Sequence, residues 1–146
     1  MIRPVAREDS SQLIPLMRHY IVDFYGRPDP GDDSIRALAL HLLEHPEQGL
    51  QFVVEHDDKL VAFATLYFTF STLQVKRAAV LNDLFVDSGS RGKKIGELLF
   101  KHCLEYTRTQ SFADMQWETD KSNTVAQALY NKMGGQISDR IVYEIV

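Results

Sequence analysis

Hydrophobic positions first recur at helical spacing. Leu13, Leu16, Met17, Tyr20, Ile21 and Phe24 lie three or four residues apart, which sets them on one face of a helix. Asp9, with Gln12 three residues on, reads as its start, and Pro15 removes one backbone donor in its first turns. A second stripe, Ile35, Leu38, Ala39, Leu42 and Leu43, follows Asp33 or Ser34 as cap and stops before Pro46. The pattern then changes. Gln51 to His56 and Leu60 to Phe70 are rich in β-branched and aromatic residues and read as strands, with Asp57-Asp58-Lys59 as their hairpin turn. Ile2 to Ala6 reads as an edge strand that tolerates Pro4. Ser71 to Arg77 is a connection whose shape the pattern leaves open.

The next unit organises the chain. Leu81 to Val86 is an apolar strand interrupted by Asn82 and Asp83, and Asp87-Ser88-Gly89-Ser90 has turn composition. From Lys93 a helix is expected, with Ile95, Leu98, Leu99 and Cys103 on one face. Asp114 to Thr119 is a further strand. Ser122 or Asn123 then caps a helix with Ala126, Leu129, Tyr130 and Met133 on one face, ended by Gly134-Gly135. Gln136 to Val146 supplies one or two final strands. An opening hairpin implies antiparallel pairing and the later strand–helix–strand unit implies parallel pairing. The expected class is therefore α/β (α+β), a mixed sheet with helices on both faces.

Candidate chemistry sits between the central strand and its helix, in Arg91, Gly92, Lys93, Lys94 and Gly96. A helix N-terminus offers unpaired N–H groups and partial positive charge. Gly92 permits close backbone approach, and Arg91 adds a fork of donors. Together they suit a phosphate or pyrophosphate. A Walker A loop is excluded, because Lys94 follows Gly92-Lys93 where Ser or Thr is needed. No G-x-G-x-x-G is present either.

Strand, R-G-x-x-I-G and amphipathic helix resemble the acetyl-coenzyme A pyrophosphate loop of the GNAT N-acetyltransferase superfamily, usually written Q/R-x-x-G-x-G/A. Arg91 and Gly96 fit, and Lys94 stands where the central glycine is expected. Asn123 through Gly134 matches the superfamily pattern N-x-x-A-x-x-L/F-Y-x-x-x-G at every fixed position. The resemblance covers nearly the whole chain and implies one GNAT domain over residues 1–146, with a central sheet of six to seven strands. Leu66 to Phe70, Leu81 to Val86 and Arg91 to Gly96 further resemble the diamine (spermidine/spermine) acetyltransferase group. That group carries Glu where this chain has Asn82.

The implied reaction is direct transfer of acetyl from acetyl-coenzyme A to a primary amine, the alternatives being a peptide N-terminus or protein lysine as acceptor, or a coenzyme A-binding domain without catalysis. Tyr130 would protonate or hydrogen-bond the departing sulfur. A backbone N–H near Leu84 or Phe85, in the strand ending at Val86, would meet the oxyanion. Asp83 is the nearest carboxylate for deprotonation, Glu118 the alternative, and Asn82 would hold a water. Arg91, Gly92, Lys93, Lys94, Ile95 and Gly96 would surround the pyrophosphate. Asn123 would contact the cofactor or cap its helix, the cap being the safer reading.

Composition narrows the partners. With 146 residues, 45% hydrophobic and 25% charged, an ordinary globular core is expected. A net charge of -4 argues against nucleic acid and anionic membranes and favours a small cationic amine substrate. The single cysteine, Cys103, allows no intrachain disulfide and fits a reducing cytoplasm. The start at Met1 shows no signal-peptide pattern, and no apolar run approaches membrane-spanning length. His41 and His45 lack a third metal ligand, so no metal is expected. Exposed strand edges and the habit of the superfamily favour a homodimer.

Overall fold

The computed structural model describes residues 1–146. One sheet runs in chain order through β1 (Ile2–Pro4), β2 (Gly49–His56), β3 (Lys59–Ser71), β4 (Lys76–Val86) and β5 (Met115–Gln116). The first three pairings are antiparallel, and β4 with β5 is parallel. Asp57 and Asp58, at φ 50° and 62°, close the first hairpin between the paired residues His56 and Lys59. Two consecutive left-handed residues give the turn whose twist matches that of the strands, and Asp tolerates this conformation. Between Ser71 and Lys76, also paired, the chain makes a second tight connection, so the segment of open shape is the tip of a long hairpin.

The sheet has five strands, not the six to seven expected. Gln136 to Val146 joins no strand: Ile137, Ile141, Tyr143, Ile145 and Val146 are all at least 80% exposed. Its β-branched residues fit a strand, but strand formation depends on pairing as well as composition, and the segment pairs with neither open edge of the sheet.

Helices cover both faces, as expected. On one face α1 (Ser10–Arg18) and α2 (Asp32–Glu44) set Leu13, Ile14, Met17, Ile35 and Ala39 against Val53, Phe63 and Phe85. On the other, α3 (Ile95–Thr109) sets Leu99, Phe100 and Cys103 against Phe52, Ala62, Ala64, Leu66 and Leu81. Burial in that layer pushes the Cys103 thiol up to about 12, so it stays protonated and inert. Three stripe positions differ from expectation: Phe24, Leu38 and Leu98 are exposed. No helix is long and apolar enough to cross a membrane.

Asp9 does not cap α1. Its carboxylate accepts from Arg3 Nη1 at 2.7 Å, Arg3 Nη2 at 2.8 Å and the Ala6 N–H at 2.7 Å, fastening β1 to the first helix. These bonds hold the Asp9 carboxyl below its ordinary range, with the Arg3 hydrogen bonds the largest cause. Gly31, at φ 86°, rather than Asp33 or Ser34, precedes α2.

Candidate active site between two parting strands

β4 and β5 pair only at Ala79–Met115 and Val80–Gln116. Beyond these pairs the strands part, and Leu81, Asn82 and Leu84 face Trp117, Glu118 and Thr119 across a cleft. A bulge marks the same point. Thr65 lies opposite Asp83 and Leu66 opposite Leu81, so Asn82 has no partner in the ladder. The Asp87 N–H donates to Val61 O at 2.8 Å. Alternation along the antiparallel ladder therefore turns the Phe85 N–H towards β3 and the Leu84 and Val86 N–H groups towards the open side. The Phe85 side chain is buried in the layer beneath α1 and α2.

The bulge also separates the two polar side chains. Asn82 is exposed to the cleft, whereas Asp83 is half-buried against Thr65 and Tyr20. Burial raises the Asp83 pKa, and hydrogen bonds from Thr65, Tyr20 and Asn82 oppose that rise. The Asn82 bond, Nδ2 to Oδ1, is 3.0 Å. Thr65 is fully buried and its hydroxyl accepts from Gln51 Nε2 at 3.1 Å, freeing its own proton for Asp83. A buried polar column thus supports the carboxylate from below.

Across the cleft, α4 (Thr124–Lys132) carries Tyr130. Asn123 caps this helix, accepting the Ala126 N–H at 3.1 Å, while its remaining surface borders the cleft. The Tyr130 ring packs edge-on to Trp117 at 5.4 Å and tilted on Phe100 at 5.6 Å. Burial raises the Tyr130 pKa, so the hydroxyl carries its proton at neutral pH. Gly135 closes the end of α4 against Trp117, where a Cβ would stand 2.8 Å from Cζ2. Glu118 is exposed at the cleft rim.

The basic loop follows β4. α3 begins at Ile95 rather than Lys93, and the loop bends through Gly92 at φ 82° and Lys94 at φ 60°. Lys94 therefore takes the left-handed conformation for which glycine is suited. Lys93 and Lys94 are exposed in front of the α3 N-terminus. The Arg91 Nε donates to Val86 O at 3.1 Å, and its guanidinium lies 5.6 Å from the Phe24 ring and 5.7 Å from that of Phe85. Lys132 pairs with Glu97 at 3.1 Å. Ile95 packs against the core layer between α3 and the sheet, and Gly96 approaches Val86.

Tyr20, Phe24, Tyr25 and Trp117 also line the cleft, and the sequence pattern gave none of them a place in the site. Tyr20 and Phe24 look like core positions on the α1 stripe. The only hint was three aromatic residues in six, more than one helix face needs. No cluster of His, Cys, Asp or Glu with metal-binding arrangement is present.

An open strand edge offers donors to an extended ligand, and a basic loop ahead of a helix offers charge and N–H groups to phosphates. The Acetyltransferase (GNAT) family model matches residues 14–135, and the chain belongs to that family. It is an N-acetyltransferase, and its family uses acetyl-coenzyme A as cosubstrate. An uncharacterized N-acetyltransferase of Bacillus subtilis, YhfO, is 28% identical over 133 residues, covering 91% of this chain and 87% of that protein. The putative [ribosomal protein bS18]-alanine N-acetyltransferase of the same organism is 28% identical over 65% of this chain and 58% of that one. The crystal structure of a probable acetyltransferase superposes with a TM-score of 0.88 at 26% identity, covering 100% of this chain and 96% of that one.

Proposed function

We propose that residues 1–146 act as one GNAT domain that transfers acetyl directly from acetyl-coenzyme A to a primary amine of a small cationic molecule. The observation carrying this reading is that Tyr130 and the unpaired Leu84 N–H border one cleft, with Asp83 behind the bulge that opens it. When bound, the cosubstrate supplies an acetyl thioester as electrophile. Val86 has an N–H group free to pair with its amide-bearing arm, and Leu84 has the donor for the oxyanion. Arg91, Gly92, Lys93 and Lys94 with the α3 N-terminus hold its phosphates. Arg91 must first leave the Phe24 and Phe85 rings.

An alkylammonium with a pKa near 10 is neutral in only about one molecule in a thousand at pH 7, so a base is required. Asp83 takes the first ammonium proton, directly or through a water on Asn82. The neutral nitrogen attacks the thioester carbon, and Tyr130 gives its proton to sulfur as the C–S bond breaks. The second nitrogen proton returns to the Tyr130 phenolate through solvent, and Asp83 releases its proton to solvent, so that one proton is freed per turnover. Glu118 and the net charge of -4 favour a cation at the rim.

The motifs shared with the diamine acetyltransferase group support a small diamine-like acceptor. The kinship with a putative ribosomal-protein alanine acetyltransferase favours a second reading, a peptide N-terminus. Release of thiol from acetyl-coenzyme A across polyamines, amino acids, aminoglycosides and peptides separates the two. Tyr130→Phe should lower the maximal rate with every accepted amine by roughly ten- to a thousand-fold while sparing cosubstrate affinity. A parent rate in that variant, with chemistry limiting, would remove Tyr130 from the mechanism.

The same proposal places the enzyme in the cytoplasm as a homodimer. Support for the dimer comes from the exposed apolar segment Gln136 to Val146 and from α4, which has no fully buried residue. In such a dimer the segment pairs with an open sheet edge of the second copy.

A further inference from the structure

The α1 helix does not end as an α-helix. His19–Phe24 forms a π turn, and the Tyr25 N–H donates to Tyr20 O, five residues back, at 3.1 Å. In a regular helix, a residue five positions on points about 140° away from the first. The wider turn closes that position back over its partner. Tyr25 consequently meets Tyr20 edge-on at 5.0 Å, and Phe24 meets Tyr25 edge-on at 5.1 Å and Tyr20 stacked at 6.3 Å. All three rings line the cleft opposite Tyr130 and Trp117. Phe24 and Tyr25 are 46% and 48% exposed, so core packing does not consume these rings. The Asp83 carboxyl lies against the Tyr20 hydroxyl at the base of the group. One cation already uses these faces, the Arg91 guanidinium over Phe24 and Phe85.

We infer that the π turn builds an ammonium subsite. Tyr20, Phe24 and Tyr25 present ring faces to a compact alkylammonium group that the acceptor carries beside its reacting amine. Aromatic faces attract such cations by their quadrupole, and carbon-rich ammonium groups lose little hydration on binding there. This assignment rests on the acetyl-transfer reading above for its meaning, but not for its test.

Trp117 is the only tryptophan and borders the same cleft, so its fluorescence reports occupancy directly. Choline and its neutral isostere 3,3-dimethylbutan-1-ol are titrated against the protein without acetyl-coenzyme A. Choline should bind tighter by about 2- to 30-fold, the range of one cation–π site. Phe24→Leu and Tyr25→Leu should each reduce that ratio towards one, whereas Tyr25→Phe, which keeps the ring, should preserve it. Melting temperatures confirm that the variants are folded. Equal binding of the two probes, binding of neither, or an undiminished ratio in both leucine variants would overturn the subsite. Thiol release with an amine panel is measured alongside on the parent. Turnover without probe discrimination defeats only the subsite; discrimination without turnover defeats only the acetyl-transfer reading.

Discussion

Lys94→Gly tests the pyrophosphate loop through two opposed effects. Lys94 sits at φ 60°, immediately before α3. A residue with a Cβ pays about 1–2 kcal/mol in that conformation. Glycine removes this strain but gives back about 0.5–1 kcal/mol in unfolded-state entropy. The net expectation is a stabilisation of roughly 0.5–1 kcal/mol, which at this chain length raises the melting temperature by about 1–4 °C. The same substitution removes one exposed cation from the proposed phosphate site. An exposed ion pair contributes about 0.2–1 kcal/mol, so coenzyme A affinity should fall by roughly 1.5- to 5-fold and lose some salt dependence. Lys94→Ala is the control: it loses the cation and keeps the strain, so affinity should fall without the gain in melting temperature. Differential scanning fluorimetry and isothermal titration with coenzyme A read both quantities. Failure of Lys94→Gly to exceed Lys94→Ala in stability would refute the strain argument. Unchanged coenzyme A affinity in both variants would remove Lys94 from the phosphate site.

Three further outcomes follow from the geometry. Asp83 binds its proton more tightly in the folded state than its ordinary value of 3.8 implies, so its ionisation costs stability as pH rises from that value through the raised folded one. Asp83→Asn should flatten that part of the stability–pH curve in urea titrations and lower amine turnover; parallel curves would show that the carboxylate is not strained by burial. Gly135→Ala should destabilise by about 1–3 kcal/mol and shift Trp117 emission, because the new methyl stands 2.8 Å from Trp117 Cζ2 and 3.0 Å from the Tyr130 carbonyl oxygen. A neutral result in denaturant unfolding would mean that this contact relaxes freely. Ending the chain at Gly135 should convert a homodimer into monomers in sedimentation velocity, and an unchanged mass would refute the role of the C-terminal segment.

Local order was legible wherever the residues near one another in sequence settle it. Stripes such as Leu13, Leu16 and Met17 place a helix face, the pair Asp57-Asp58 closes a hairpin, and Asn123 caps α4, because each outcome depends on neighbours within a turn. The loop from Arg91 to Gly96 and the Asn123 to Gly134 pattern were readable for the same reason, and they carried the family. The strand count was not readable. Gln136 to Val146 has strand composition, but pairing is a property of two segments, and only the folded chain shows that none of its edges receives this one. The bulge at Asn82 was equally hidden, since a register shift exists only relative to β3; it decides that Asn82 meets the cleft while Asp83 turns to Tyr20. A period of 3.6 puts Tyr20 and Phe24 on one stripe and leaves Tyr25 outside it. A π turn replaces that period by five-residue closure, and it alone brings Tyr25 over Tyr20. Residue types and local spacing thus determined the chemistry this chain carries. Which of those groups share one cleft was decided by strand register and helix winding, quantities that exist only between segments distant in sequence or in a backbone already folded.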